Sequence, residues 1–175
     1  MAVNLTTRCD SAPPCRLVPF EPCWAAAVAS WPRDAREAYW LAPKTRPPLT
    51  ADEVLRWRKP GHEPYMLLVP EGDEPVGYGE LNRILGAPRQ YWLGHLVIAA
   101  TARGRGLGIH LTRLLLQEAF ERRGARRVTL VVFPDNERAL ACYRAAGMLD
   151  DGFEWHRFPA YRRRECLVRL AASVP

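Results

Sequence analysis

Six consecutive residues, Arg103-Gly104-Arg105-Gly106-Leu107-Gly108, follow a run that reads as a strand ending near Ile98 and open a run that reads as a helix. The first turn of a helix exposes backbone N–H groups without partners and carries partial positive charge. Glycines let an anion approach the backbone closely. The two arginines add charge. The stretch therefore reads as an anion cradle, with pyrophosphate as its natural guest. The alternative is a glycine-rich turn with solvated arginines. Two nucleotide signatures fail on single residues. The dinucleotide fingerprint G-x-G-x-x-G needs glycine where Ile109 stands, and a P-loop needs Gly-Lys-Ser/Thr where this stretch has no lysine.

Spacing places three more residues. Asn136 is a good N-cap for the helix expected after it, and Gly147 suits the left-handed position that closes that helix. Tyr143 lies seven residues after Asn136, about two turns, and faces much the same side. Its alternative role is packing, against Met148 at the helix end.

Periodicity and punctuation supply the surrounding elements. Arg16 to Phe20 reads as a strand, Pro22 to Ser30 as a helix with proline at its start, and Arg33 to Leu41 as a second short helix. Pro43 to Leu49 is a proline-broken loop. Thr50 and Glu53 form a capping box that opens a helix to about Lys59. Tyr65 to Val69 and Val76 to Leu81 read as a hairpin, Asn82 to Arg89 as a loop, and Tyr91 to Ile98 as a buried strand. Leu107, Leu111, Leu114, Leu115 and Ala119 repeat at helical spacing from about Gly106 to Arg123. Arg127 to Phe133 is a β-branched strand, Asn136 to Ala146 a helix, and Glu154 to Phe158 and Glu165 to Leu170 the last strands. The expected class is α/β (α+β): a mixed, mostly antiparallel sheet of six to seven strands flanked by helices. Residues 1–14 read as a loose lead-in and 15–175 as one domain.

The gross numbers bound the function. At 175 residues and 48% apolar, one domain can bury a core. No run approaches the ~18 apolar residues of a membrane helix, and no secretion signal opens the chain, so a cytoplasmic protein is expected. The five cysteines, Cys9, Cys15, Cys23, Cys142 and Cys166, show no C-x-x-C spacing and suggest free thiols. His62, His110, His156 and Glu154 lack metal-ligand spacing, so no metal is expected. The charge of +6 comes with no nucleic-acid motif. A homodimer is compatible with the sequence and not specified by it.

Taken together, the strand Leu96-Val97-Ile98, Arg103-x-x-Gly106-x-Gly108, the strand Val128 to Phe133, Asn136, Tyr143 and Gly147-Met148 resemble the GNAT superfamily of N-acetyltransferases. The resemblance covers roughly residues 64–170, with its sharp motifs between 96 and 148. It implies acetyl-coenzyme A as cosubstrate and direct acetyl transfer to a primary amine. The backbone of Leu96, Val97 and Ile98 would bond the pantetheine arm. The N–H groups of Gly104, Arg105, Gly106, Leu107, Gly108 and Ile109 would hold the pyrophosphate, and Asn136 would contact the coenzyme. The strands carrying Ile98 and Val131 would splay apart. Tyr143 would protonate the departing thiolate. Arg122, Arg123, Arg126 and Arg127 are available to an adenosine phosphate, or simply complement a helix C-terminus. Cys142 reads as a small helix residue, since the family forms no covalent intermediate.

An alkylammonium must lose a proton before attack, at about 4–5 kcal/mol near neutral pH. Glu80, at the end of a hairpin strand, and His95, in the strand before the glycine turn, are the two candidate bases. Their alternatives are an exposed strand-end charge and a satisfied strand histidine. Relatives that acetylate protein N-termini often carry glutamate where Val131 stands, which counts against that type. The run Gly77-Tyr78-Gly79-Glu80-Leu81 is loosely similar to the branch holding ribosomal-protein alanine and polyamine acetyltransferases. The leading expectation is a small-molecule amine as acceptor. The alternatives are a protein or peptide amine, or a coenzyme-binding regulator without catalysis. Trp31, Tyr39, Trp40 and Trp57 would line an acceptor pocket or sit in the core.

Overall fold

The computed structural model describes residues 15–70 and 72–174, so the expected lead-in at 1–14 lies outside the described residues. One seven-stranded sheet organises them, in the order β1 (Arg16–Pro19), β2 (His62–Leu68), β3 (Pro75–Arg83), β4 (Gln90–Ile98), β5 (Arg127–Val132), β7 (Arg163–Ser173), β6 (Leu149–Phe158). All neighbours are antiparallel except β4 and β5. That parallel pair requires a crossover, which α4 (Leu107–Gln117) supplies.

The short helices start where capping residues stand. A turn at Pro22–Trp24 leads into α1 (Ala25–Ser30). Asp34 Oδ1 accepts from the Glu37 N–H at 2.8 Å and opens α2 (Ala35–Leu41). Thr50 Oγ1 accepts from the Glu53 N–H at 3.3 Å and opens α3 (Ala51–Arg56). α5 (Glu137–Ala145) begins at Asn136 and ends at Gly147, whose φ of 103° admits the left-handed closing turn. There the Met148 N–H donates to Tyr143 O (3.1 Å) and the Gly147 N–H to Arg144 O (3.0 Å).

The two faces of the sheet are covered differently. α4 buries Leu107, Leu111, Leu115 and Leu116 against one face, each worth about 1.5–3 kcal/mol when fully buried. It sits so close to β3 that a Cβ on Gly79 would come within 2.9 Å of Leu115 Cδ1. The opposite face carries Tyr78, which meets the rings of Phe20 at 5.4 Å and Trp57 at 5.8 Å, beneath α1 and α3.

Several boundaries differ from those expected. β3 continues through Asn82 and Arg83, which shortens the expected 82–89 loop. β6 begins at Leu149 rather than Glu154, because a bulge between Asp150 and Phe153 absorbs Gly152 and hides the strand's alternation. The last turn of the long helix widens to π geometry over Glu118–Arg122. Trp31, Tyr39 and Trp57 are buried, which places them in the core rather than along an open pocket. No helix of the described residues is long and apolar enough to cross a membrane.

Candidate active site

β4 and β5 share only three ladder positions, Gln90 with Arg127, Tyr91 with Val128 and Trp92 with Thr129. Beyond Trp92 the strands separate. Val97 and Ile98 stay paired to β3 on one side, opposite Tyr78 and Gly77, while Leu96 lies in a bulge just before them. Their β5 side carries no strand pairing among the described residues. A slot opens there with backbone groups along one wall.

At the end of β4 the chain turns into α4. Gly104 and Gly106 have φ of 81° and 73°, a conformation that disfavours any side chain, and a Cβ on either would meet nothing within 4 Å. Conformation and open space both suit a bulky anion. Leu107 and Gly108 open the helix and have no intrahelical acceptor for their N–H groups. The Ile109 N–H is different: it donates to Gly106 O at 3.0 Å, which removes it from the expected pyrophosphate set. Gly108 is crowded instead, since a Cβ there would lie 2.9 Å from Cys142 Sγ on α5.

Arg103 does not offer its side chain to this cradle. Its Nε donates to Ile98 O (3.0 Å), Nη1 to both oxygens of Glu37 (2.8 and 2.9 Å), and Nη2 to Trp31 O (3.0 Å). Arg105 is exposed. Arg122, Arg123, Arg126 and Arg127 lie past the far end of α4, on the order of 20 Å from the cradle at 1.5 Å per residue. Arg123 pairs there with Glu63 and Glu118, and Arg127 with Asp151. That distance argues against their holding an adenosine phosphate.

Asn136 Oδ1 accepts from the Ala139 N–H at 3.3 Å and caps α5. Tyr143 lies at the third position from the end of α5 and packs against the core. Its hydroxyl has no hydrogen-bond partner among the described residues. Burial, with Cys142 beside it, raises its pKa well above the usual phenol value, so the proton is retained at any physiological pH.

Glu80 and His95 come together. Glu80 is 1% exposed, not a solvated strand-end charge. The Tyr78 hydroxyl donates to its Oε1 at 2.7 Å and Asn82 Nδ2 to its Oε2 at 2.9 Å. His95 Nδ1 lies 3.0 Å from Oε1 and His62 Nδ1 lies 3.7 Å from Oε2. Burial pushes the Glu80 carboxyl up, but His95, Asn82 and Tyr78 outweigh it and hold the group below its ordinary value. The cause of the meeting is a β-bulge. Tyr78 pairs with Val97 and Glu80 with Gly94, so Gly79 faces two residues of β4. His95, the extra residue with φ 48°, turns onto the Glu80 face and stacks on Trp57 at 4.0 Å.

The profile of the acetyltransferase (GNAT) family matches residues 22–148. The chain belongs to this family. Among curated relatives, an aminoglycoside N(6')-acetyltransferase type 1 from Klebsiella pneumoniae is 28% identical over 99 residues, 51% of this chain and 48% of the relative. The chain spans about half or less of the length of the curated relatives it matches. Two solved structures share the fold. AAC(6')-Ib in complex with ribostamycin and coenzyme A gives a TM-score of 0.73 at 21% identity, over 91% of this chain and 93% of the other. Spermidine N-acetyltransferase from Vibrio cholerae, with CoA and spermine, gives 0.74 at 16% identity, over 91% and 95%.

Within this GNAT chain, four residues of the Glu80 cluster and one partner of Arg103 escape a reading of sequence. Tyr78 and Asn82 alternate with Glu80 along β3, so period two places all three on one face. That signal was available. His62 reaches the cluster through its register opposite Asn82, and Trp57 through the packing of α3. Glu37 meets Arg103 across 66 positions. No local spacing encodes those contacts.

Proposed function

We propose that this protein transfers an acetyl group from acetyl-coenzyme A directly to a primary amine of a small molecule. The observation that carries the reading is the juxtaposition of a splayed β4–β5 slot, an anion-compatible helix start at its end, and a buried carboxylate–imidazole pair on β3 and β4. Acetyl-coenzyme A, when bound, supplies the activated thioester carbonyl. The backbone of Leu96 to Ile98 suits the pantetheine arm, and the N–H groups of Gly104 to Gly108 suit the pyrophosphate. The acceptors of those relatives, an aminoglycoside and a polyamine, support a small polyamine-like or aminosugar amine.

The acid–base roles follow from the side chains. A proton on His95 Nδ1 makes its contact with the Glu80 carboxylate attractive, whereas a lone pair there would face negative charge. Glu80 therefore favours the tautomer with Nε2 unprotonated, and Nε2 is the base that accepts the ammonium proton, directly or through water. Glu80 orients it. Tyr143 keeps its proton and can give it to the leaving thiolate.

The test is release of free thiol from acetyl-coenzyme A with a panel of polyamines, aminoglycosides, amino acids and peptides. Acetylation of a small amine is expected. Turnover confined to peptides overturns the small-molecule assignment, and no turnover with any amine overturns the enzyme.

A further inference from the structure

Arg103 opens the glycine motif, yet its guanidinium faces into the protein. It donates four hydrogen bonds to three elements: the last carbonyl of β4 (Ile98), the C-cap carbonyl of α1 (Trp31), and Glu37 in the first turn of α2. A guanidinium has five N–H donors, so little remains for an anion. Both partners of the ion pair are shielded, the Arg103 side chain at 18% and Glu37 at 15% exposure. Glu37 is held from a second side as well. It accepts from the Arg33 N–H at 2.8 Å and from Arg33 Nε and Nη2 at 3.0 and 2.9 Å. The α1–α2 corner is thus clamped onto the end of β4, one residue before the loop that begins at Gly104. The bonds to Ile98 O and Trp31 O also satisfy carbonyls at a strand end and a helix end.

We propose that Arg103 is a positioning residue that couples the pyrophosphate loop to the α1–α2 corner, so that filling the loop orders the acceptor-side wall. The planar fork is essential, because only a guanidinium reaches a carboxylate and two carbonyls at once. A lysine keeps the charge and loses the bridge. The inference rests on the proposed function in taking coenzyme A as the loop's ligand, and it itself assigns the α1–α2 corner to the acceptor side.

The test uses coenzyme A with the wild-type chain, Arg103→Gln, Arg103→Lys and Glu37→Gln. Affinity is measured by calorimetry and amide hydrogen exchange is followed over 25–42 and 104–109. In the wild type, coenzyme A slows exchange in both segments. In all three variants, affinity stays within about threefold, protection of 104–109 persists and protection of 25–42 is lost. With the best amine of the panel, its KM rises about tenfold in the variants. Coenzyme A affinity falling more than about tenfold in Arg103→Gln, while Glu37→Gln binds normally, makes the guanidinium a phosphate ligand and overturns the coupling. Undiminished protection of 25–42 in the variants overturns it equally. A wild-type chain that binds no coenzyme A overturns the functional reading and the coupling with it, so the two failures are distinguishable.

Discussion

His95 Nδ1 lies 3.0 Å from Glu80 Oε1 because β4 carries one more residue than β3 opposite Gly79. Without that bulge, alternation would put the imidazole on the α4 face, away from the carboxylate. The pair makes separable predictions for rate. If His95 accepts the proton, His95→Gln is expected to lower kcat/KM by about 10²- to 10⁴-fold and to erase the low-pH limb of its profile. Glu80→Gln leaves the imidazole in place and should cost less, about tenfold, with the limb retained. A steady-state pH series measures both. Survival of the limb unmoved in His95→Gln would show that another group accepts the proton.

The same carboxylate links stability to pH. The folded pKa of Glu80 lies below its ordinary value of 4.5 because donors surround it. A group of this sign stabilises the fold above the unfolded pKa and loses that contribution as pH falls through the folded one. Urea unfolding of the wild type should therefore weaken as pH drops below about 4.5. Glu80→Gln should be less stable than wild type near neutral pH by about 1–3 kcal/mol, because Tyr78 and Asn82 lose a charged acceptor, with the gap narrowing in acid. Glu37, held down to about 2 chiefly by Arg33 and Arg103 against its burial, contributes in the same direction. A gap that does not narrow between pH 7 and pH 4 would mean that the surrounding donors do not hold the folded-state Glu80 carboxyl below its ordinary value.

Gly108 of α4 packs tightly against Cys142 of α5, with 2.9 Å between an added Cβ and the sulfur. Gly108→Ala should destabilise the fold by about 1–3 kcal/mol through overpacking. Cys142→Gly in the same chain should recover a large part of that loss, giving a coupling of about 1 kcal/mol in a double-mutant cycle. Additive losses in chemical denaturation would place the strain elsewhere.

Much of this site could be read before any coordinates. Gly104 to Gly108, Asn136 and Tyr143 are local signals, each tied to a helix end whose chemistry spacing reveals. The seven-stranded mixed sheet follows from the order of such segments. Glu80 and His95 are visible in the sequence only as two separate candidates. A bulge is a register event between β3 and β4, and single-sequence alternation cannot register it. Arg103 misleads for a related reason. Its neighbours suit an anion, but its own partners, Glu37 and Trp31, come from helices far away in sequence.

Tyr143 gives the cleanest separation of catalysis from packing. Its hydroxyl makes no hydrogen bond among the described residues, so Tyr143→Phe removes an oxygen without breaking a protein contact. Stability should stay within about 0.5 kcal/mol, and coenzyme A affinity should hold. If the hydroxyl protonates the leaving thiolate, kcat should fall by about ten- to a hundredfold, a modest loss because a thiol of pKa ~8.5 already leaves fairly well as its anion. The residual activity should then favour acyl donors whose thiols are more acidic. Stopped-flow thiol release with coenzyme A and a more acidic thioester, compared across the two chains, reads this directly. Equal turnover by both chains, at unchanged stability, would leave Tyr143 as the staple of the α5 terminus and require a different proton source for the thiolate.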